Sequence, residues 1–275
     1  MIQKEKYILN NGIEIPKIAF GTWQIQGEDA YNSTVFAVKA GYIHIDTALA
    51  YGNEAEIGRA LKDLNVNRSD IFITSKLPAE IKGYNETNEA FNKTITNLGV
   101  EYLDLYLIHA PRPWSQMGGG AEYLYEKENL ESWHAMEELY NEGKIRSIGV
   151  SNFSVYDMEN IINNSNIVPQ VNQVYYHPGC RRYELEGYCK EHNILIEAYS
   201  PFATGRIFKS VELKEIADKY NVSMAQLAVK WCLQRNTLPL PKSVNEDRII
   251  SNIQVDFEIS EEDLEKIDQV KLLIK

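Results

Sequence analysis

Eight short segments rich in Ile, Val, Leu and Tyr recur along this chain. They lie at 17–21 (KIAFG), 42–46 (YIHID), 71–76 (IFITSK), 102–109 (YLDLYLIH), 145–150 (IRSIGV), 170–174 (QVNQV), 194–200 (ILIEAYS) and 238–243 (LPLPKS). The fourth is almost continuously apolar, as expected of a strand covered on both faces. Amphipathic helical stripes fill several of the intervals: Ile57, Leu61 and Leu64; Phe91, Ile95 and Leu98; Trp133, Met136 and Tyr140. Leu213, Ile216, Ala217 and Tyr220 form a fourth stripe, and Met224, Leu227, Ala228 and Trp231 a fifth. Ser260 to Asp263 resembles a capping box ahead of a last helix with Leu264 and Ile267. Apolar stripes of this kind build core, so none of them is a candidate site.

Eight strands alternating with helices in about 250 residues is the arithmetic of a (β/α)8 TIM barrel. A doubly wound sheet is the competing architecture, but it usually carries a GxGxxG turn after its first strand. Here that place holds GTWQIQGED (21–29). The segment YILNNGIEI (7–15) reads as an N-terminal β-hairpin, and the triple glycine at 118–120 as a flexible loop. The expected fold is therefore α/β, one barrel domain over 1–275 with a hairpin in front. The 275 residues, 44% of them hydrophobic, suffice for its core.

A net charge of -11 argues against general nucleic-acid binding and against docking on anionic membranes. Three cysteines with no CxxC pair make a disulfide framework unexpected. No signal-peptide pattern and no bilayer-length apolar run is present, so the expected location is the cytoplasm; no unexplained apolar surface stands out, so the expected state is a monomer.

In a barrel, chemistry collects at the C-terminal ends of the strands. From the second strand onward these ends present Asp46 (with Tyr51 just beyond), Lys76, His109, Ser151-Asn152, Asn172-Gln173, Tyr199-Ser200 and Lys242-Ser243. Each has an ordinary structural explanation: a helix cap for Asp46, a solvated lysine, a satisfied core histidine, a packed tyrosine. Their convergence on one rim favours a site. A tyrosine is a weak acid at neutral pH, and a neighbouring lysine cation is expected to lower its pKa. A carboxylate keeps that lysine charged, and a histidine beside the phenol can orient a carbonyl oxygen. Asp46, Tyr51, Lys76 and His109 together make a general acid for an alkoxide.

The motifs around these residues resemble those of the aldo-keto reductase family. They are GTWQ (21–24), DTALAYGNEAEIGRA (46–60), LDLYLIH (103–109), GVSNF (149–153), VNQVYYHP (171–178), AYSP (198–201), LPKS (240–243) and RIISN (248–252). The likeness is to the smaller, bacterial-type members. It implies reduction of aldehydes or ketones by NADPH, with NADH less favoured. It makes Tyr51 the acid, Lys76 and Asp46 the pair that tunes it, and His109 the substrate-orienting residue. It also implies that Ser151, Asn152 and Gln173 hold the nicotinamide carboxamide, that Tyr199, followed by Ser200, stacks on the ring, and that Lys242, Ser243 and Arg248 surround the 2′-phosphate. Asn252 would contact adenine. Arg248 lies near the start of an expected helix (246–255), whose N-terminus also favours anions. Trp23 and Trp114 are expected to wall an aromatic substrate pocket for small carbonyl compounds.

This chain departs from the family pattern at Ser251, where Gln or Glu is common, at HAPRPW (109–114), where HWP is common, and at Phe202, where leucine is commoner. A cofactor-binding regulatory barrel without turnover is the alternative reading, with the complete tetrad arguing for an enzyme. A glycosidase needs two facing carboxylates, and a metal hydrolase needs clustered ligands. The five histidines, at 44, 109, 134, 177 and 192, have no metal-ligand spacing, so no metal is expected.

Overall fold

The computed structural model describes residues 1–117 and 124–272. The glycine run at 118–120 lies outside the described residues. Strands β1 (Lys6–Ile8) and β2 (Glu14–Pro16) form the N-terminal antiparallel hairpin, with Tyr7 opposite Ile15. Eight parallel strands follow: β3 (Phe20–Gly21), β4 (His44–Asp46), β5 (Phe72–Leu77), β6 (Leu105–Ile108), β7 (Ile148–Ser151), β8 (Val171–Tyr175), β9 (Leu195–Tyr199) and β10 (Leu238–Leu240). Each neighbours the next in sequence order. Ala19 N and Gly21 N donate to Pro239 O and Pro241 O, at 3.2 and 3.1 Å, and these bonds join the first strand to the last. The fold is the expected (β/α)8 barrel, not a doubly wound sheet.

Strand alternation divides the core in two. Ala19, Phe72, Leu105, Leu107, Val171, Leu238 and Leu240 form one buried cluster with Leu9 and Ile15 of the hairpin segment. The hairpin thereby plugs the N-terminal end of the barrel, and the chemistry is left to the other end. The alternate residues, among them Phe20, Ile45, Ile73, Tyr106, Ile148, Val150 and Ala198, pack outward against the helices. These are α1 (Gly27–Ala40), α2 (Glu54–Asp63), α3 (Tyr84–Leu98), α4 (Glu126–Asn141), α5 (Val155–Asn164), α6 (Tyr183–Glu191), α7 (Val211–Lys219), α8 (Met224–Gln234), α9 (Glu246–Ser251) and α10 (Glu261–Gln269).

Two local expectations need correction. At the start of α10 only half of a capping box forms: Ser260 accepts from the Asp263 amide, but the Ser260 amide donates to the Tyr220 hydroxyl. Lys219 and Tyr220 have drawn the Asp263 carboxylate away, each at 2.6 Å. Complete boxes form instead at Ser154/Asp157 and Ser223/Gln226. The helix expected over 246–255 stops at Ser251, because Ile253 and Val255 leave it to bury in the core.

Candidate active site

Asp46 ends β4, and the chain then turns through a short 3-10 segment, Leu49–Tyr51, closed by Gly52 at φ 68°. Asn53 ties this turn down. Its Oδ1 accepts from the Thr47 hydroxyl at 2.8 Å, and its Nδ2 donates to Thr22 O and Ile25 O at 2.9 and 2.8 Å. Gln26 adds a bond to Tyr51 O. Tyr51 is thus held by backbone and buried amide bonds rather than by a strand. Lys76 projects from β5, and His109 sits one residue past β6, its amide bonded to Leu77 O.

These four residues meet. Lys76 is 0% exposed, and its Nζ donates to both oxygens of Asp46 at 2.7 and 2.9 Å and to Thr47 O at 2.8 Å. Its third direction points at Tyr51 Oη, 3.4 Å away. His109 Nε2 lies 3.5 Å from the same hydroxyl, with the two rings edge to face. Asp46, Lys76 and His109 are buried and Tyr51 is half-buried at the cavity, so each charge state depends strongly on its partners. Burial opposes the Lys76 charge, but Asp46 and Tyr51 outweigh it and the ammonium is held above its ordinary pKa. His109 is kept neutral, well below its ordinary value, by burial and by the Lys76 and Lys82 charges. Tyr51 corrects an expectation: its pKa is raised, not lowered. Burial outweighs the lowering by Lys76, and Asp46 adds to the rise. The hydroxyl therefore keeps its proton until something draws it off.

A cavity of about 960 Å³ opens above this group. Its lining includes Trp23, Asp46, Tyr51, His109, Trp114, Ser151, Asn152, Gln173, Tyr199, Ser200 and Lys242. Lys76 lies beneath the floor. Asn152 takes a left-handed conformation (φ 61°), and its side chain donates to His109 O and accepts from Tyr199 Oη at 2.8 Å. One asparagine thus links the histidine to the aromatic wall. Trp114 packs edge to face on His109 at 5.2 Å, so the shift from HWP to HAPRPW still delivers an indole to the pocket. Trp23 and Trp114 are 48% and 43% exposed, large apolar surfaces that face solvent at the mouth.

Ser243, Arg248 and Asn252 lie outside the cavity lining. Ser243 and Arg248 sit where β10 leads into α9, and Asn252, 3% exposed, follows α9 directly. Lys242 and Arg248 are exposed, and neither has a carboxylate within ion-pair distance among the described residues. In a chain of net charge -11 two such cations beside one cavity mouth suit a phosphate. A nicotinamide dinucleotide fits the residues present: an open cleft, a tyrosine wall, polar side chains that can pair with an amide, and free cations at the far end.

Sequence reasoning missed three participants. Glu80 lines the cavity from the loop after β5 and Phe208 from the short 3-10 segment Ala203–Lys209, where periodicity carries no signal. Glu197 is different: it lies on the same face of β9 as Leu195 and Tyr199, alternating with Ile196 and Ala198, so its inward direction was legible. Gln173 Nε2 donates both to Asp46 Oδ2 at 2.8 Å and to Glu197 Oε2 at 2.7 Å.

The model of the Aldo/keto reductase family matches residues 17–272. The chain is 42% identical to a glyoxal reductase of Bacillus subtilis over 267 residues, 96% of this chain and 92% of that protein. Among solved structures it superposes on an aldo/keto reductase from Brucella melitensis with a TM-score of 0.90 at 37% identity, covering 98% of each chain. A Bombyx mori aldo-keto reductase in complex with NADP gives a TM-score of 0.86 at 31% identity, over 98% of this chain and 93% of that one. By these matches the chain belongs to the aldo/keto reductase family and is an oxidoreductase of a family that uses a nicotinamide cofactor.

Proposed function

We propose that this protein reduces aldehydes or ketones to alcohols with NADPH, and that Tyr51 is the acid that protonates the nascent alkoxide. The observation that carries this reading is the buried chain of Asp46, Lys76 and Tyr51, with neutral His109 on the other side of the phenol. When bound, the cofactor supplies the hydride. The protein supplies position and charge. A carbonyl oxygen that enters between Tyr51 Oη and His109 Nε2 meets two groups able to donate to it. The Lys76 ammonium is fixed by Asp46 and stabilises the phenolate left when Tyr51 gives up its proton. The raised resting pKa of Tyr51 keeps the acid loaded at neutral pH. Trp23 and Trp114 give the mouth large apolar surfaces, which suits small carbonyl compounds over polyhydroxylated ones.

Lys242 and Arg248 support NADPH over NADH, since a cation pair rewards the extra phosphate. The relatives named as a glyoxal reductase and as a complex with NADP support the same reading. The test is loss of reduced-nicotinamide absorbance with NADPH and with NADH against a panel of small aldehydes, glyoxal included. Turnover with NADPH exceeding that with NADH is expected. Tight cofactor binding with no turnover on any carbonyl contradicts the enzyme and leaves a regulatory barrel.

A further inference from the structure

Below the cavity floor the barrel buries two carboxyl groups around one cation. Asp46 and Lys76 form the close pair already described. Glu197 is 0% exposed and belongs to the same cluster through Gln173, whose single Nε2 bridges the two carboxyls. Its other oxygen, Oε1, is buried with no hydrogen-bond partner. No hydrogen bond or ion pair joins Lys76 to Glu197 among the described residues: its Nζ is directed to Asp46, Thr47 O and Tyr51. An ionised carboxylate, buried with one neutral donor, is a costly arrangement. A protonated one costs far less.

We propose that Glu197 is a positioning residue of the reductase site: it is a neutral carboxylic acid at neutral pH that fixes the Gln173 amide and ionises when positive charge appears above it. The inference rests on the reading given under Proposed function. Two bonds to Gln173 Nε2 turn that end of the amide into the barrel and leave its Oε1 as the acceptor available to a ligand. Sequence resemblance places the nicotinamide carboxamide at Gln173, so Glu197 stands one residue behind the cofactor's redox-active end.

The groups around Glu197 fix the sign. Asp46 faces it from β4 and Lys76 from β5. Gln173 stands beside it on β8 and Leu238 on β10. Tyr199 follows two residues on along β9, and Tyr51 and His109 lie at the floor, both uncharged. His44, on β4 against Thr74 and Phe72, is held neutral by burial and by Lys76. Burial and the Asp46 charge push Glu197 up to about 8, against the opposing pull of Gln173 and Lys76. The oxidised nicotinamide ring carries a positive charge and the reduced ring does not. A positive ring favours the ionised form of Glu197, so NADP+ binding releases its proton and NADPH binding leaves it in place. As pH rises through about 8, NADP+ gains affinity relative to NADPH.

The experiment is a fluorescence titration of the full-length protein with NADPH and with NADP+, from about pH 6.5 to about pH 9.5, for the wild type and Glu197→Gln. The two cofactors share every phosphate, so the ratio of their dissociation constants cancels the titration of those phosphates. In the wild type the ratio of the NADPH Kd to the NADP+ Kd is expected to rise roughly 3- to 10-fold across this range. In Glu197→Gln, which mimics the protonated acid, it stays flat. A flat wild-type ratio overturns the proposal while leaving the reductase reading intact. So does a variant that keeps the wild-type rise. Failure of either cofactor to bind overturns both readings together. Infrared difference spectra of the wild type alone give a second measure: NADP+ added at about pH 7.5 should remove a protonated-carboxyl band that NADPH leaves. No loss of that band contradicts the proposal even if the variant does not fold.

Discussion

Lys76 carries the largest single electrostatic burden. Removing one member of a buried ion pair leaves the other charged and unpaired, at a cost of roughly 3–5 kcal/mol. Lys76→Met is therefore expected to lower the denaturant midpoint markedly as well as to abolish turnover, whereas an exposed lysine such as Lys242 can be lost without unfolding anything. Lys242→Ala should weaken NADPH binding by about tenfold and leave NADH almost untouched. Equal losses for both cofactors, measured by titration, would remove the 2′-phosphate assignment. At this scale the sequence was readable wherever a residue ends a strand: Asp46, Lys76, His109, Asn152, Gln173 and Tyr199 all reach the site from predicted strand ends. It misled on the pKa of Tyr51, because a rise caused by burial depends on packing depth, which spacing does not encode. It was silent about Asn53, a surface-type residue in the sequence that is 0% exposed and ties down the Tyr51 turn.

Among the elements, the α2–α3 contact determines how well the Tyr51 turn is supported, since α2 begins three residues after Tyr51. Gly58 makes this contact possible. A Cβ at that position would stand 2.7 Å from the Leu98 carbonyl carbon and 2.9 Å from the Leu98 Cα, both rigid backbone. Alanine there forces two helices apart. We expect Gly58→Ala to cost about 1–3 kcal/mol in chemical denaturation even though alanine is the better helix former. A stabilised variant would show that the helices can slide freely. Barrel strands and long helical stripes were visible from periodicity. The stop of α9 after Ser251 and the half-formed cap of α10 were not, because both are settled by partners distant in sequence: the core around Ile253 in one case, Lys219 and Tyr220 in the other.

For the whole molecule, pH acts through buried groups of opposite sign. His44, His109 and His177 all have folded pKa values below the ordinary histidine value of about 6.5. The unfolded chain binds those protons first, so each histidine lowers stability as pH falls below about 6.5, by up to about 1.4 kcal/mol per pH unit until its own folded value is reached. Glu197 works the other way, because its folded value near 8 lies above its unfolded one. Its contribution is full below the unfolded carboxyl value and is lost as pH rises through about 8. Stability should therefore peak near neutrality and fall on the acid side, with urea midpoints at pH 5.5 well below those at pH 7; a flat profile would mean that the histidines are solvated. The central claim concerns one proton, and it is tested most directly by single-turnover NADPH oxidation with a small aldehyde in the wild type and in Tyr51→Phe. A rate lower by about 10²–10⁴-fold is expected in the variant, with NADPH affinity unchanged. Equal rates in the two proteins would contradict it and assign the proton to another group.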